Sequence, residues 1–190
     1  MKKFPLAVAI LRLGLLLLTA AASGFAFQVT AIDGRHYTEA ALQERKAFVL
    51  FFVATDCPIS NRYAPEMNRL VAAYAPKEIA FWIVHTDPAL TVEEATRHAR
   101  EFSYQCPVIV DREHLLVKLT GARVTPEAAI LSPEGRLLYR GQIDDTYQDY
   151  GVRRLQPRRR EVRNVLEAIL AGRTVKLRTT QAIGCFIFPD

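Results

Sequence analysis

Residues 47–60 read Ala-Phe-Val-Leu-Phe-Phe-Val-Ala-Thr-Asp-Cys-Pro-Ile-Ser, an apolar run that ends in two polar residues, a cysteine and a proline. The run over 47–54 is short and rich in β-formers, the pattern of a strand buried on both faces. Downstream, 58–75 carries Met67, Leu70, Val71 and Tyr74 at helical spacing, and 79–85, Ile-Ala-Phe-Trp-Ile-Val-His, is a second apolar run. Strand, helix and strand follow one another, a βαβ unit with parallel strands and a right-handed crossover.

Further along, Thr91 and Glu94 have the spacing of a capping box that opens a helix reaching about Phe102, and 108–110 is another short strand. From 128 to 140 two apolar segments flank Ser132-Pro133-Glu134-Gly135, a hairpin with turn formers at its tip, so the sheet becomes mixed. A last helix over about 158–171 puts Val162, Val165, Leu166, Ile169 and Leu170 on one face and stops near Gly172. The stretch 144–157 lacks periodicity and reads as a loop. The fold class is α/β, a sandwich around a mixed central sheet.

The chain has 190 residues with 50% hydrophobic and 24% charged, enough for one core and one domain. Nine glycines and ten prolines are ordinary usage, and there is no repeat or low-complexity tract, which excludes collagen, solenoids and disorder. Residues 1–26 have the layout of a cleavable export signal: Lys2 and Lys3, an apolar stretch from Leu13 to Ala22, then small residues, with cleavage after Ala22 or Ala26. Arg12 interrupts the apolar stretch, so an uncleaved membrane anchor is the lesser expectation. Without Lys2, Lys3 and Arg12, 22 of the 25 basic residues remain against 20 acidic ones, so nothing points to nucleic acid or an anionic membrane as partner. A periplasmic or secreted domain over 27–178 is expected, with a tail over 179–190 carrying Cys185 and no integral membrane span after cleavage.

Export places three cysteines, Cys57, Cys106 and Cys185, in an oxidising compartment. Three single pairings or none are open. Cys57 follows the strand and opens the helix, where unpaired N–H groups and the helix dipole favour a thiolate, and the sulfur is expected to be accessible there. Pro58 suits the first helical position, and Ser60 is expected to turn its hydroxyl back toward the sulfur. Asp56 acts against the thiolate. Position alone also fits, as the lesser reading, a buried inert thiol capping a strand. Cys106, before Pro107, reads as core filler. His36, His85, His98 and His114 lack ligand spacing, so no metal or cofactor is expected. His85 ends a strand before Thr86-Asp87-Pro88, where it could face the active edge, with a satisfied strand-end histidine as the commoner reading. Arg153, Arg154, Arg158, Arg159, Arg160 and Arg163 read as a solvated basic face.

Thr55-Asp56-Cys57-Pro58-Ile59-Ser60, Pro65 within the helix and Val124-Thr125-Pro126 before the hairpin resemble the thioredoxin-like superfamily over about 47–171. The likeness is to its redoxin branch, the alkyl hydroperoxide reductase/thiol-specific antioxidant-like proteins, here as an exported variant with a single cysteine in Cys57-Pro58-Ile59-Ser60. The resemblance implies a thioredoxin-like three-layer sandwich. It also implies a cis proline at Pro126, with the Thr125 backbone pairing with a substrate chain next to the active sulfur, in a groove that includes Pro58. Ser60 stands where thioredoxins carry their second cysteine. Ala54 and Leu50 replace the hydroxyl and proline of the peroxiredoxin pattern, and Asn61 replaces the second cysteine of copper-chaperone relatives. Gly184-Cys185-Phe186-Ile187 resembles the ending of exported redoxins with this start, which implies that Cys185 resolves Cys57; a structural Cys106–Cys185 bridge is the rival. The function implied is a thiol-disulfide oxidoreductase acting on protein or small-molecule thiols and disulfides, with Cys57, Cys185 and Ser60 as catalytic groups. A binding module without catalysis and a thiol peroxidase are the alternatives.

Overall fold

The computed structural model describes residues 27–188. The segment read as an export signal lies outside the described residues. In chain order the elements are β1 (Gln28–Thr30), β2 (His36–Thr38), α1 (Ala40–Gln43), β3 (Ala47–Val53), α2 (Pro58–Tyr74) and β4 (Ile79–His85). Then come α3 (Val92–Glu101), β5 (Val108–Val110), α4 (Leu115–Thr120), β6 (Val124–Thr125), β7 (Glu127–Leu131) and β8 (Leu137–Gly141). The chain ends with β9 (Tyr147–Asp149), β10 (Val152–Arg153), α5 (Glu161–Leu170), β11 (Arg178–Thr179) and β12 (Cys185–Phe186).

The central sheet has the order β11-β8-β7-β3-β4-β5. The strands β3, β4 and β5 are parallel, as the βαβ pattern requires, and β7 runs antiparallel to β3. Every residue of β3 is buried, and the pleat sorts its side chains by parity. Val49, Phe51 and Val53 face a cluster with Met67, Leu70 and Tyr74 of α2 and Val162, Val165 and Leu166 of α5. Phe48, Leu50 and Phe52 face the opposite cluster, with Trp82, Val29 of β1, Leu42 of α1 and Leu116 and Val117 of α4. Each large side chain buried this way contributes roughly 1.5–3 kcal/mol. Two covered faces make the three-layer α/β sandwich of the thioredoxin-like fold.

Local chemistry explains the helix ends. Thr91 accepts from the Glu94 amide at 3.2 Å, and the Glu94 carboxylate accepts from the Thr91 amide at 2.9 Å, closing the expected capping box. The last helix begins at Glu161, later than expected, because Asp145 Oδ1 accepts the amides of Arg158 (2.6 Å) and Arg159 (2.8 Å) and holds that segment as a turn. The stretch expected to be a loop contains the small β9–β10 hairpin. The basic face is partly an ion-pair network: Arg154 and Arg159 reach the buried Asp145 at 3.5 and 3.7 Å, and Arg163 lies 3.7 Å from Glu66. After α5 the chain returns to the sheet, with β11 pairing parallel to β8. Gly141 permits this, because a Cβ there would overlap the Thr180 backbone and its φ is +148°. No helix among the described residues is long and apolar enough to cross a membrane.

Candidate active site

The β3 strand delivers Cys57 to one end of the sheet, where it becomes the N-cap residue of α2 with φ −87° and ψ 108°. Pro58 occupies the first turn, where its missing amide hydrogen costs nothing, and Pro65 lies inside the same helix. Nearby, the Thr125–Pro126 peptide bond is cis, as the resemblance implies. The Cys57 thiol donates to the Thr125 carbonyl at 3.0 Å, so the sulfur faces the proline-bearing loop. That loop is anchored by Glu127, whose carboxylate accepts from the amides of Arg123 (2.7 Å) and Val124 (3.4 Å) and lies 3.5 Å from Arg140.

The C-terminal tail completes the site. Its strand β12 pairs antiparallel with β6, placing Cys185 opposite Thr125 and Phe186 opposite Val124. The Cys185 thiol donates to the Cys57 sulfur across 2.6 Å, well inside the van der Waals contact of two sulfurs. Burial, followed by the hydrogen bond and charge of Cys57 and by Asp56, pushes the Cys185 thiol up to about 12. Cys185 therefore holds its proton more tightly than an ordinary thiol does. All three cysteines are free thiols.

Two expectations are corrected here. The Cys57 residue has 0% exposure, because the tail covers it, whereas an accessible sulfur was expected. Ser60 is also fully buried, and its hydroxyl finds no hydrogen-bond partner among the described residues, the Cys57 sulfur included. The Cys57 sulfur instead takes its partners from Thr125 and Cys185, and it accepts no helix amide as N-cap of α2.

Cys106 is where core filler was expected. It packs against the α2 and α5 cluster, and burial pushes its thiol up to about 12. The structure brings Cys185 to Cys57 and not to Cys106. Of the two readings open for His85, the satisfied strand-end histidine is the one the structure corrects. His85 ends β4 with 0% exposure, and neither ring nitrogen has a partner among the described residues, so it is not a satisfied histidine. Its ring contacts that of His98 edge-on at 4.9 Å, and His98 Nε2 lies 3.0 Å from Asn61 Oδ1. Burial and the His98 neighbour pull His85 down to about 3. Its place at a strand end was readable, but its burial depends on α3 packing over it. Among the described residues, no group of three or more His, Cys, Asp or Glu is placed to hold a metal ion.

A model of the AhpC/TSA family matches residues 21–140, more than half of the chain. The chain belongs to the AhpC/TSA family. The matched span ends before α5 and the tail that carries Cys185. No curated protein matches this AhpC/TSA chain. Among solved structures it is similar to a hypothetical protein of Sinorhizobium meliloti, with 24% identity, TM-score 0.75 and coverage of 87% of this chain and 91% of the other. An uncharacterized conserved protein of Geobacillus kaustophilus has 28% identity and TM-score 0.74, covering 85% and 87%. A secreted Mycobacterium tuberculosis disulfide oxidoreductase shares the fold at 17% identity and TM-score 0.52, covering 77% and 95%.

Proposed function

We propose that this AhpC/TSA protein is a thiol-disulfide oxidoreductase of the periplasm or extracellular space in which Cys57 exchanges with thiols and disulfides and Cys185 resolves it. The observation that carries the reading is the Cys185 sulfur held 2.6 Å from Cys57 on a strand paired with Thr125. The distant cysteine takes the place of the second thiol that Ser60 lacks.

The Cys57 thiolate attacks one sulfur of a partner disulfide, forming a mixed disulfide and releasing the first partner thiolate. Cys185 then loses its proton and attacks the Cys57 sulfur. A Cys57–Cys185 bond forms, the mixed bond breaks, and the second partner thiolate leaves. The partner disulfide gains two electrons and the protein dithiol loses two. Run backwards, the same steps oxidise a dithiol partner, so the partner's potential sets the direction. Docking on β6 makes the resolving step intramolecular between oriented groups, which favours it over attack by a free thiol.

The test is disulfide mapping by mass spectrometry after equilibration in glutathione buffers of graded potential. A Cys57–Cys185 bond that forms and breaks with potential is expected, and Cys185→Ser should accumulate a Cys57–glutathione mixed disulfide. A permanent Cys106–Cys185 bond, or a Cys57 thiol that never oxidises, would leave a binding module in place of an enzyme.

A further inference from the structure

The tail lies on the site as an alternating strand. Ile183 and Ile187 pack inward against the two core clusters and Cys185 meets Cys57 between them, while Phe186 and Phe188 point outward with 68% and 80% exposure. The Ile187 amide donates to the Arg123 carbonyl at 2.9 Å, extending the β12–β6 pairing. At Gly184 a Cβ would overlap the Thr125 carbonyl oxygen, so glycine is what lets the strand approach this closely. From the turn after β9, the Tyr150 hydroxyl donates to the Gly184 carbonyl. With a two-residue ladder, two isoleucines and one tyrosine as anchors, this segment belongs to the parts of a fold that open locally without global unfolding.

We propose that residues 183–187 are a removable shielding strand: they fill the strand position beside Thr125 through which a polypeptide must approach Cys57, so exchange with an outside partner requires the strand to lift. Gly184 sets how firmly it sits, and Tyr150 latches it. The tail thus serves in turn as cover and as resolving arm. The idea rests on Cys57 being the exchanging thiol, yet shielding is measurable without turnover.

The experiment measures the rate at which iodoacetamide labels Cys57 at neutral pH, by peptide mass spectrometry, in reduced full-length protein. Cys185→Ser is the parent, and Gly184→Val and Tyr150→Phe are added to it separately. Slow labelling is expected in the parent, with acceleration of about tenfold or more for Gly184→Val and a smaller one for Tyr150→Phe, because labelling follows the population of the open form. Cys106 reports on the fold, since it should stay slow throughout; if Gly184→Val exposes Cys106, Tyr150→Phe alone decides. Equal Cys57 rates in parent and variants, whether all fast or all slow, overturn the shielding strand. Absence of a reversible Cys57–Cys185 bond in the wild-type protein, with the Gly184→Val effect on labelling intact, would instead overturn the exchange reading and leave the shield.

Discussion

His85→Leu should flatten the acid side of the stability profile. His85 is fully buried with both ring nitrogens unpartnered among the described residues, and burial together with His98 pulls it from an ordinary 6.5 to about 3. The unfolded chain therefore takes up a proton on His85 below pH 6.5 that the folded chain refuses until about pH 3. Unfolding gains that proton, so stability is full above pH 6.5 and falls as pH drops toward about 3. At about 1.4 kcal/mol per pH unit the whole interval corresponds to roughly 5 kcal/mol, and the part between pH 6.5 and 4.5 to about 2–3 kcal/mol. That is a large share of the ~5–15 kcal/mol that holds a domain folded. The assay is urea unfolding of wild type and variant at pH 7 and pH 4.5. Carboxylates and His98 titrate in both proteins and largely cancel in the difference, so wild type should lose about 2–3 kcal/mol more than His85→Leu. At pH 7 the variant should be close to wild type, since it removes two unsatisfied polar atoms and keeps an apolar body of similar size. Parallel pH dependences of the two proteins would refute the assignment of a proton-excluding His85.

Thr91→Ala removes the hydroxyl that accepts the Glu94 amide and should cost about 1 kcal/mol in urea unfolding, whereas Thr91→Ser should restore most of it. An alanine variant with an unchanged midpoint would refute the cap's contribution. The Cys185 thiol, pushed up to about 12 from an ordinary 9.0, should form thiolate only at strongly alkaline pH in Cys106→Ala protein followed by ultraviolet absorbance. The folded form holds the proton more tightly, so the docked tail's contribution is full below pH 9 and is lost as pH rises toward about 12. Cys57→Ser removes the neighbouring charge and should bring the Cys185 titration down; an unchanged titration would contradict coupling between the sulfurs.

How much of the site was legible differs from residue to residue. Cys57 at a helix start, Pro58 behind it and the Thr91–Glu94 box are readable because each depends on neighbours within a few residues. The cis bond before Pro126 came from resemblance, not from residue chemistry. Asp145 was overlooked, although its carboxylate reshapes the start of α5, because its partners Arg158 and Arg159 lie 13 and 14 residues away. Ser60 was misjudged for a related reason: spacing put its hydroxyl near Cys57, but side-chain direction was set by Thr125, 68 residues from Cys57.

The amino-acid order by itself determined the alternating elements of the sandwich, since burial period, turn residues and caps act through short-range contacts. Only the tertiary structure decided which thiol meets Cys57 and whether solvent reaches it. Cys185 lies 128 residues away and arrives through the register of β12 on β6 and through the missing side chain of Gly184. Such long-range packing leaves no periodic trace in the chain, because it is settled by the surfaces that meet after the elements have formed.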